Sequence, residues 1–178
     1  MCGLIFLFNP GLEAFDLKQK AQLALQTIRH RGPDDEGILL QPSSVVGHRR
    51  VSIIDLEGSH QPLADNSRRY VLAYNGEVYN YNQLRAQVAD RWDFTTRGDT
   101  EVVLAGLVTH GPGFLQQMEG MWALSLWDSE RQQLLLSRDR VGKKPLYYRP
   151  ATAEFSCASE LRALQRLSGC PWDEDLDS

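Results

Sequence analysis

MCGLIFLFNPG, residues 1–11, is the stretch on which the fold turns. Its apolar run extends only from Leu4 to Phe8, and Asn9-Pro10-Gly11 closes it with a turn cluster. CGLIFLF therefore predicts a short buried strand. It is no secretory signal, because it lacks a positive n-region and the apolar core is too short. Cys2 admits two readings. It is a small apolar residue opening that strand, as free cysteines commonly are. Alternatively, loss of Met1 leaves it as the N-terminus, with a thiol and a free α-amine on one residue.

Residues 17 to 29 carry Leu17, Ala21, Leu25 and Ile28 at helical spacing and predict an amphipathic helix. RHRGPDDEG reads as a polar loop, followed by short strands at GILL, SVVGH and VSIID. YVLAY leads into Asn75-Gly76, a strong hairpin signal. NYNQLRAQVA and TEVVLAGLVTH predict helices, the second capped by Asp99 or Thr100. Strands return at GMWALSLWD, QLLLSRD, PLYY and EFSCAS, then a short helix, SELRALQRL, with Ser159 as its cap. The tail PWDEDLDS is acidic and unpatterned. Runs of strands with helices grouped between them indicate one α+β domain of mostly antiparallel sheets.

The 178 residues suffice for a full core, and 42% hydrophobic with 24% charged residues is an ordinary globular balance. A net charge of −4 argues against nucleic acid or anionic membrane as partner, despite Arg138, Arg140, Lys143 and Lys144. No segment approaches the ~18 apolar residues of a membrane span. Cys2, Cys157 and Cys170 are odd in number and widely spaced, which predicts neither disulfides nor a metal site and fits a reducing cytoplasm.

A terminal cysteine supplies its own chemistry. A thiol has a pKa of about 8.5 and an α-amine about 7.7–8.0, so the amine can take the thiol proton near neutral pH. This is an activated nucleophile that needs no histidine, and the four histidines form no evident dyad. Asn75-Gly76 is either a plain turn or an oxyanion hole built from an amide and a closely approaching backbone N–H. Arg49-Arg50 is either a solvated pair or a guanidinium grip for a carboxylate. Asp99 reads as a helix cap and Glu77 as a strand-edge charge.

MCG, RHRGPDDEG, GHRRVSIIDL, YNGEVYN, GDTEV and SRDRVGKKPLYY occur in this order between Met1 and about Leu167. The set resembles the glutamine-hydrolysing domain of asparagine synthetases, within the class II, N-terminal-nucleophile glutamine amidotransferases. The resemblance implies a four-layer αββα sandwich of mainly antiparallel sheets. It implies that Cys2, freed by loss of Met1, attacks the side-chain amide of L-glutamine, giving glutamate and ammonia. Arg50 would hold the α-carboxylate and Asp99 the α-ammonium. Glu77 and the backbone around Val51 and Ile53 would complete the grip, and Asn75 with the Gly76 N–H would form the oxyanion hole. Gly98 stands where the family often has serine, Leu4 where it has isoleucine and Trp122 where it has phenylalanine. Arg31, Asp34, Arg138 and Asp139 are expected as buried structural ion pairs.

Residues 1–168 are expected to form the amidotransferase domain and 169–178 the start of a linker to a synthetase domain or subunit absent from this sequence. No SGGxDS word or P-loop occurs, so ATP and magnesium are expected only in that other part. The expected partners are L-glutamine and that synthetase unit, with a homodimer left open and neither nucleic acid nor membrane involved. The competing reading is a catalytically silent module of the same fold.

Overall fold

The computed structural model describes residues 1–51 and 60–169. Two antiparallel sheets lie face to face between two pairs of helices. β1 (Gly3–Phe8) is the middle strand of the first sheet, pairing with β3 (Ser44–Arg50) on one side and β9 (Phe155–Ala158) on the other. β2 (Asp35–Gln41) and β8 (Tyr147–Pro150) form its edges. The second sheet runs β4 (Leu63–Ala64), β5 (Tyr70–Val78), β6 (Gly120–Asp128) and β7 (Gln133–Arg138).

The two-residue period of a strand sorts side chains to opposite faces. In β1, Leu4 and Phe6 point between the sheets, where they meet Val46, Val71, Ala73, Ala123, Trp127 and Cys157. Ile5 and Leu7 point outward to α1 (Ala14–Thr27) and α4 (Leu161–Ser168). On the far side, Leu72, Tyr74 and Val78 of β5 pack with α2 (Tyr81–Val88) and α3 (Asp99–His110). Three apolar cores separate four layers, α, β, β and α. Every side chain from Leu4 to Leu7 is fully buried, which gives the quoted stretch the centre of the molecule.

Three local expectations need correction. Asn75-Gly76 is not a hairpin turn: both residues lie inside β5, opposite Ala123 and Trp122 of β6. The long ladder overrides the local turn preference. Neither Asp99 nor Thr100 caps α3, because Gly98 holds the N-cap position and no side chain caps it. Ser159 does not cap α4 either; Glu160 is the N-cap residue, and the Ser159 hydroxyl accepts the Leu4 N–H at 2.9 Å. The expected strand VSIID and the acidic tail fall mostly outside the described residues.

Candidate active site

Alternation along β1 carries Cys2 to the same inter-sheet face as Leu4 and Phe6. The Val51 backbone N–H donates to the Cys2 Sγ at 3.5 Å, and the Val51 carbonyl lies 4.0 Å from it. The resemblance implies a place for the Val51 backbone at the amino-acid end of a substrate; in the structure that backbone lines the cleft and contacts the nucleophile. Ile53 lies outside the described residues. A cleft of about 150 Å³ opens beside the sulfur, lined among others by Arg50, Val51, Gly76, Glu77 and Asp99.

Arg49 and Arg50 are not a solvated pair. Arg49 turns toward α1, donating to the Leu25 carbonyl at 3.2 Å and pairing with Glu36. Arg50, 5% exposed, faces the cleft. Asp99 turns its carboxylate to β5, where Oδ2 accepts the Tyr74 hydroxyl at 2.9 Å and the Val78 N–H at 3.0 Å. Burial raises the Asp99 pKa above the ordinary carboxylate value, against the pull of these two bonds. Glu77 lines the cleft from an exposed position.

The edge of β5 explains Gly76. Backbone N–H and C=O groups of Tyr70, Tyr74 and Val78 point away from β6: Tyr70 bonds Asp65, Tyr74 bonds the Gln61 side chain, and Val78 bonds Asp99. Gly76 shares this parity, so its N–H points to the same edge, between the Gln61 and Asp99 contacts and at the cleft. Asn75 has the opposite parity, so its side chain lies between the sheets, on the face to which β1 carries Cys2. It is 2% exposed, and its Nδ2 has no hydrogen-bond partner among the described residues.

Two supporting groups, Arg31 and Asp34, act through partners distant along the chain. Arg31 Nε donates to the Cys2 carbonyl at 3.0 Å while Nη1 pairs with Glu160 at 3.1 Å. Three residues on, the Asp34 N–H donates to the Arg50 carbonyl at 3.2 Å, so RGPD braces both Cys2 and Arg50. The ion-pair expectation describes Arg31 in part. It does not describe Arg138, which is exposed and donates to the Gly142 carbonyl, or Asp139, which accepts N–H groups from Trp122, Val141, Lys143 and Lys144. Burial pushes the Asp139 pKa up, but those four bonds leave it below the usual value.

Glu101 anchors the loop that delivers Asp99. Its carboxylate accepts the N–H and hydroxyl of both Thr95 and Thr96 and the Trp92 indole N–H. Burial raises its pKa, and the combined hydrogen bonds bring it below the ordinary value.

His48 lies fully buried between the sheets, with Nε2 3.0 Å from the Tyr74 carbonyl. A carbonyl only accepts, so Nε2 carries the proton in the neutral ring. Burial lowers the His48 pKa from 6.5 to about 4. Between those values the unfolded chain binds more protons than the folded one, so stability rises with pH across that window. The contribution is complete above pH 6.5 and is lost as pH falls toward 4, amounting to about 3 kcal/mol. Urea unfolding at pH 7 and pH 4.5 should show a loss in the native protein that is smaller in His48→Gln; equal losses in the two proteins would contradict this.

A thiol heading an inner strand of an αββα sandwich defines the N-terminal-nucleophile hydrolase class of fold. A solved structure of the same architecture is glutamine phosphoribosylpyrophosphate amidotransferase from B. subtilis. It matches with a TM-score of 0.76 at 20% identity, covering 94% of this chain and 44% of that one. The chain belongs to the glutamine amidotransferase domain family, which it matches over residues 1–178. It is 40% identical over 165 residues to asparagine synthetase B [glutamine-hydrolyzing] of Escherichia coli K12, covering 92% of this chain and 30% of that protein. It is 38% identical over 183 residues to a putative asparagine synthetase [glutamine-hydrolyzing] of Mycobacterium tuberculosis H37Rv, covering 94% and 28%. The chain thus spans less than a third of the length of these curated relatives.

Proposed function

We propose that the chain hydrolyses the side-chain amide of L-glutamine. The observation that carries this reading is the cleft in which the Cys2 thiol, Arg50, Gly76 and Asp99 meet. Arg50 binds the α-carboxylate; Asp99, assisted by Glu77, binds the α-ammonium. Two opposite charges held apart measure the amino acid's backbone and present its side-chain amide to sulfur. Each charge-assisted contact contributes about 1.5–3 kcal/mol, and an analogue lacking one charge leaves its partner unpaired.

In the form that lacks Met1, the Cys2 α-amine takes the thiol proton and sulfur attacks the amide carbon. Negative charge gathers on the amide oxygen, where the Gly76 N–H and Asn75 Nδ2 donate to it. The protonated amine passes its proton to the departing nitrogen, releasing ammonia and leaving a γ-glutamyl thioester. The amine then deprotonates a water, which attacks the thioester carbon. Collapse restores the thiol and frees glutamate.

The ammonia serves an asparagine-synthetase-type amidation in a further domain or subunit, a reading supported by the names and greater lengths of the relatives. ATP and magnesium belong to that unit. Residues 1–168 form the amidotransferase part, and 169–178 begin the connection. Among the described residues, Cys2 and Cys157 are free thiols, which suits a cytoplasmic protein, and no helix is long and apolar enough to cross a membrane.

The test is incubation of the Met1-free protein with glutamine, which should yield glutamate and ammonia in equal amounts. A form retaining Met1 has an amide at Cys2 in place of the base and should be inert. Asp99→Asn should raise KM by about 10- to 10²-fold with a smaller change in kcat. Equal turnover by both N-terminal forms would rule out the amine as base.

A further inference from the structure

We infer that His48 and Gln61 are positioning residues that set the oxyanion hole by clamping the peptide group in front of Asn75. The inference rests on the assignment of Asn75 and Gly76 to that hole.

β4 ends its pairing with β5 early: Leu63 faces Leu72, and the register extended by two residues brings Gln61 opposite Tyr74. There the Gln61 side chain takes the place of a strand. Its Oε1 accepts the Tyr74 N–H at 2.7 Å and its Nε2 donates to the Tyr74 carbonyl at 3.0 Å. The same carbonyl receives the His48 Nε2–H from the other sheet. Both lone pairs are thus engaged, by two donors that approach from different layers.

That carbonyl belongs to the peptide plane whose nitrogen is Asn75. Fixing its orientation fixes the direction of the Asn75 side chain on one face and of the Gly76 N–H one residue further along the edge. Gln61 is itself wedged, because a Cβ on Gly37 would come within 2.0 Å of the Gln61 carbonyl oxygen. His48 is 0% exposed, so water does not replace its donor; Gln61, 7% exposed, lines the cleft beside Tyr74 and Gly76. The His48 Nδ1 has no partner among the described residues, so the contact to Tyr74 is the polar contact that fixes the ring.

Loss of one clamp lets the peptide plane rotate. A small displacement at the hole lowers kcat while the Arg50 and Asp99 contacts, and hence KM, stay in place. For the Met1-free protein, His48→Leu should lose about 10- to 10²-fold in kcat with KM within about two-fold of native. His48→Gln, which returns a donor near the Nε2 position, should recover most of that loss. Gln61→Met, keeping volume, should behave like His48→Leu and serves if that variant does not fold. Affinity for the aldehyde analogue of glutamine, whose thiohemiacetal carries the same oxygen, should fall with kcat. Iodoacetamide alkylation of Cys2, which forms no such oxygen, should keep its native rate. Folded His48→Leu or Gln61→Met with native kcat, or with kcat and alkylation slowed together, overturns the inference. Native turnover by Asn75→Ala overturns the hole assignment itself, and the clamp with it. A slow Asn75→Ala beside fast clamp variants sinks the clamp alone.

Discussion

Cys2→Ala should eliminate glutamate release from the Met1-free protein, a loss on the order of 10⁶-fold of the kind seen when a hydrolase loses its nucleophile. Among the described residues no second thiol can substitute. Cys157 is fully buried between the sheets on β9, and burial pushes its pKa far above the ordinary thiol range. The Tyr74 hydroxyl is committed to Asp99, and burial likewise drives its pKa up. The variant should fold as the native protein does, because the side-chain contact removed is the one between Sγ and the Val51 backbone. Glutamine should still bind, through Arg50 and Asp99, so calorimetry should report native affinity without turnover. Undiminished glutamate release from Cys2→Ala sinks the mechanism.

Gly76→Ala should damage fold and chemistry together. The added Cβ would stand 2.4 Å from the Met121 carbonyl oxygen, 2.8 Å from Tyr74 Cε2 and 2.9 Å from the Trp122 Cα. Two of these neighbours are backbone of the adjoining strand, so no rotamer change relieves the contact. β5 must move away from β6 at the residue whose N–H is aimed into the cleft. Overpacking of this type costs about 1–3 kcal/mol, and loss of one oxyanion donor lowers kcat by about 10²–10³-fold. Thermal unfolding and steady-state kinetics measure the two parts separately. Retention of both native stability and native kcat would show that the glycine is there for neither reason.

The layers were legible because each rests on a periodic signal. Leu4 to Phe8 read as a buried strand, and the spacing of Leu17, Ala21, Leu25 and Ile28 read as a helix that the structure places at Ala14–Thr27. Asn75-Gly76 misled because the pair has two incompatible uses. A turn wants glycine for its backbone freedom; here the glycine is wanted for its missing side chain, beside a neighbouring strand that local sequence does not reveal. Asp99 misled in a related way: an acid at a helix start ordinarily caps, yet the hydroxyl and N–H of β5 claim its carboxylate. His48, Gln61 and Arg31 act through hydrogen bonds whose partners only the fold brings near. Motif order marked most of their neighbourhoods without saying what each atom would do.

A strand without a neighbour is ordinarily a hazard, since its bare amides invite another chain to add on. On β5 that edge is shared out. β4 covers Val71 and Leu72 near the strand's start, the Gln61 side chain stands in for one further rung at Tyr74, and Asp99 takes the amide of Val78. Among the described residues, what is left is a gap one residue wide at Gly76, recessed and flanked by occupied positions. No extended chain can dock on a single amide, but one developing negative charge can. By leaving the seam unfinished at one stitch, the protein guards itself against aggregation and keeps a donor open for the reaction.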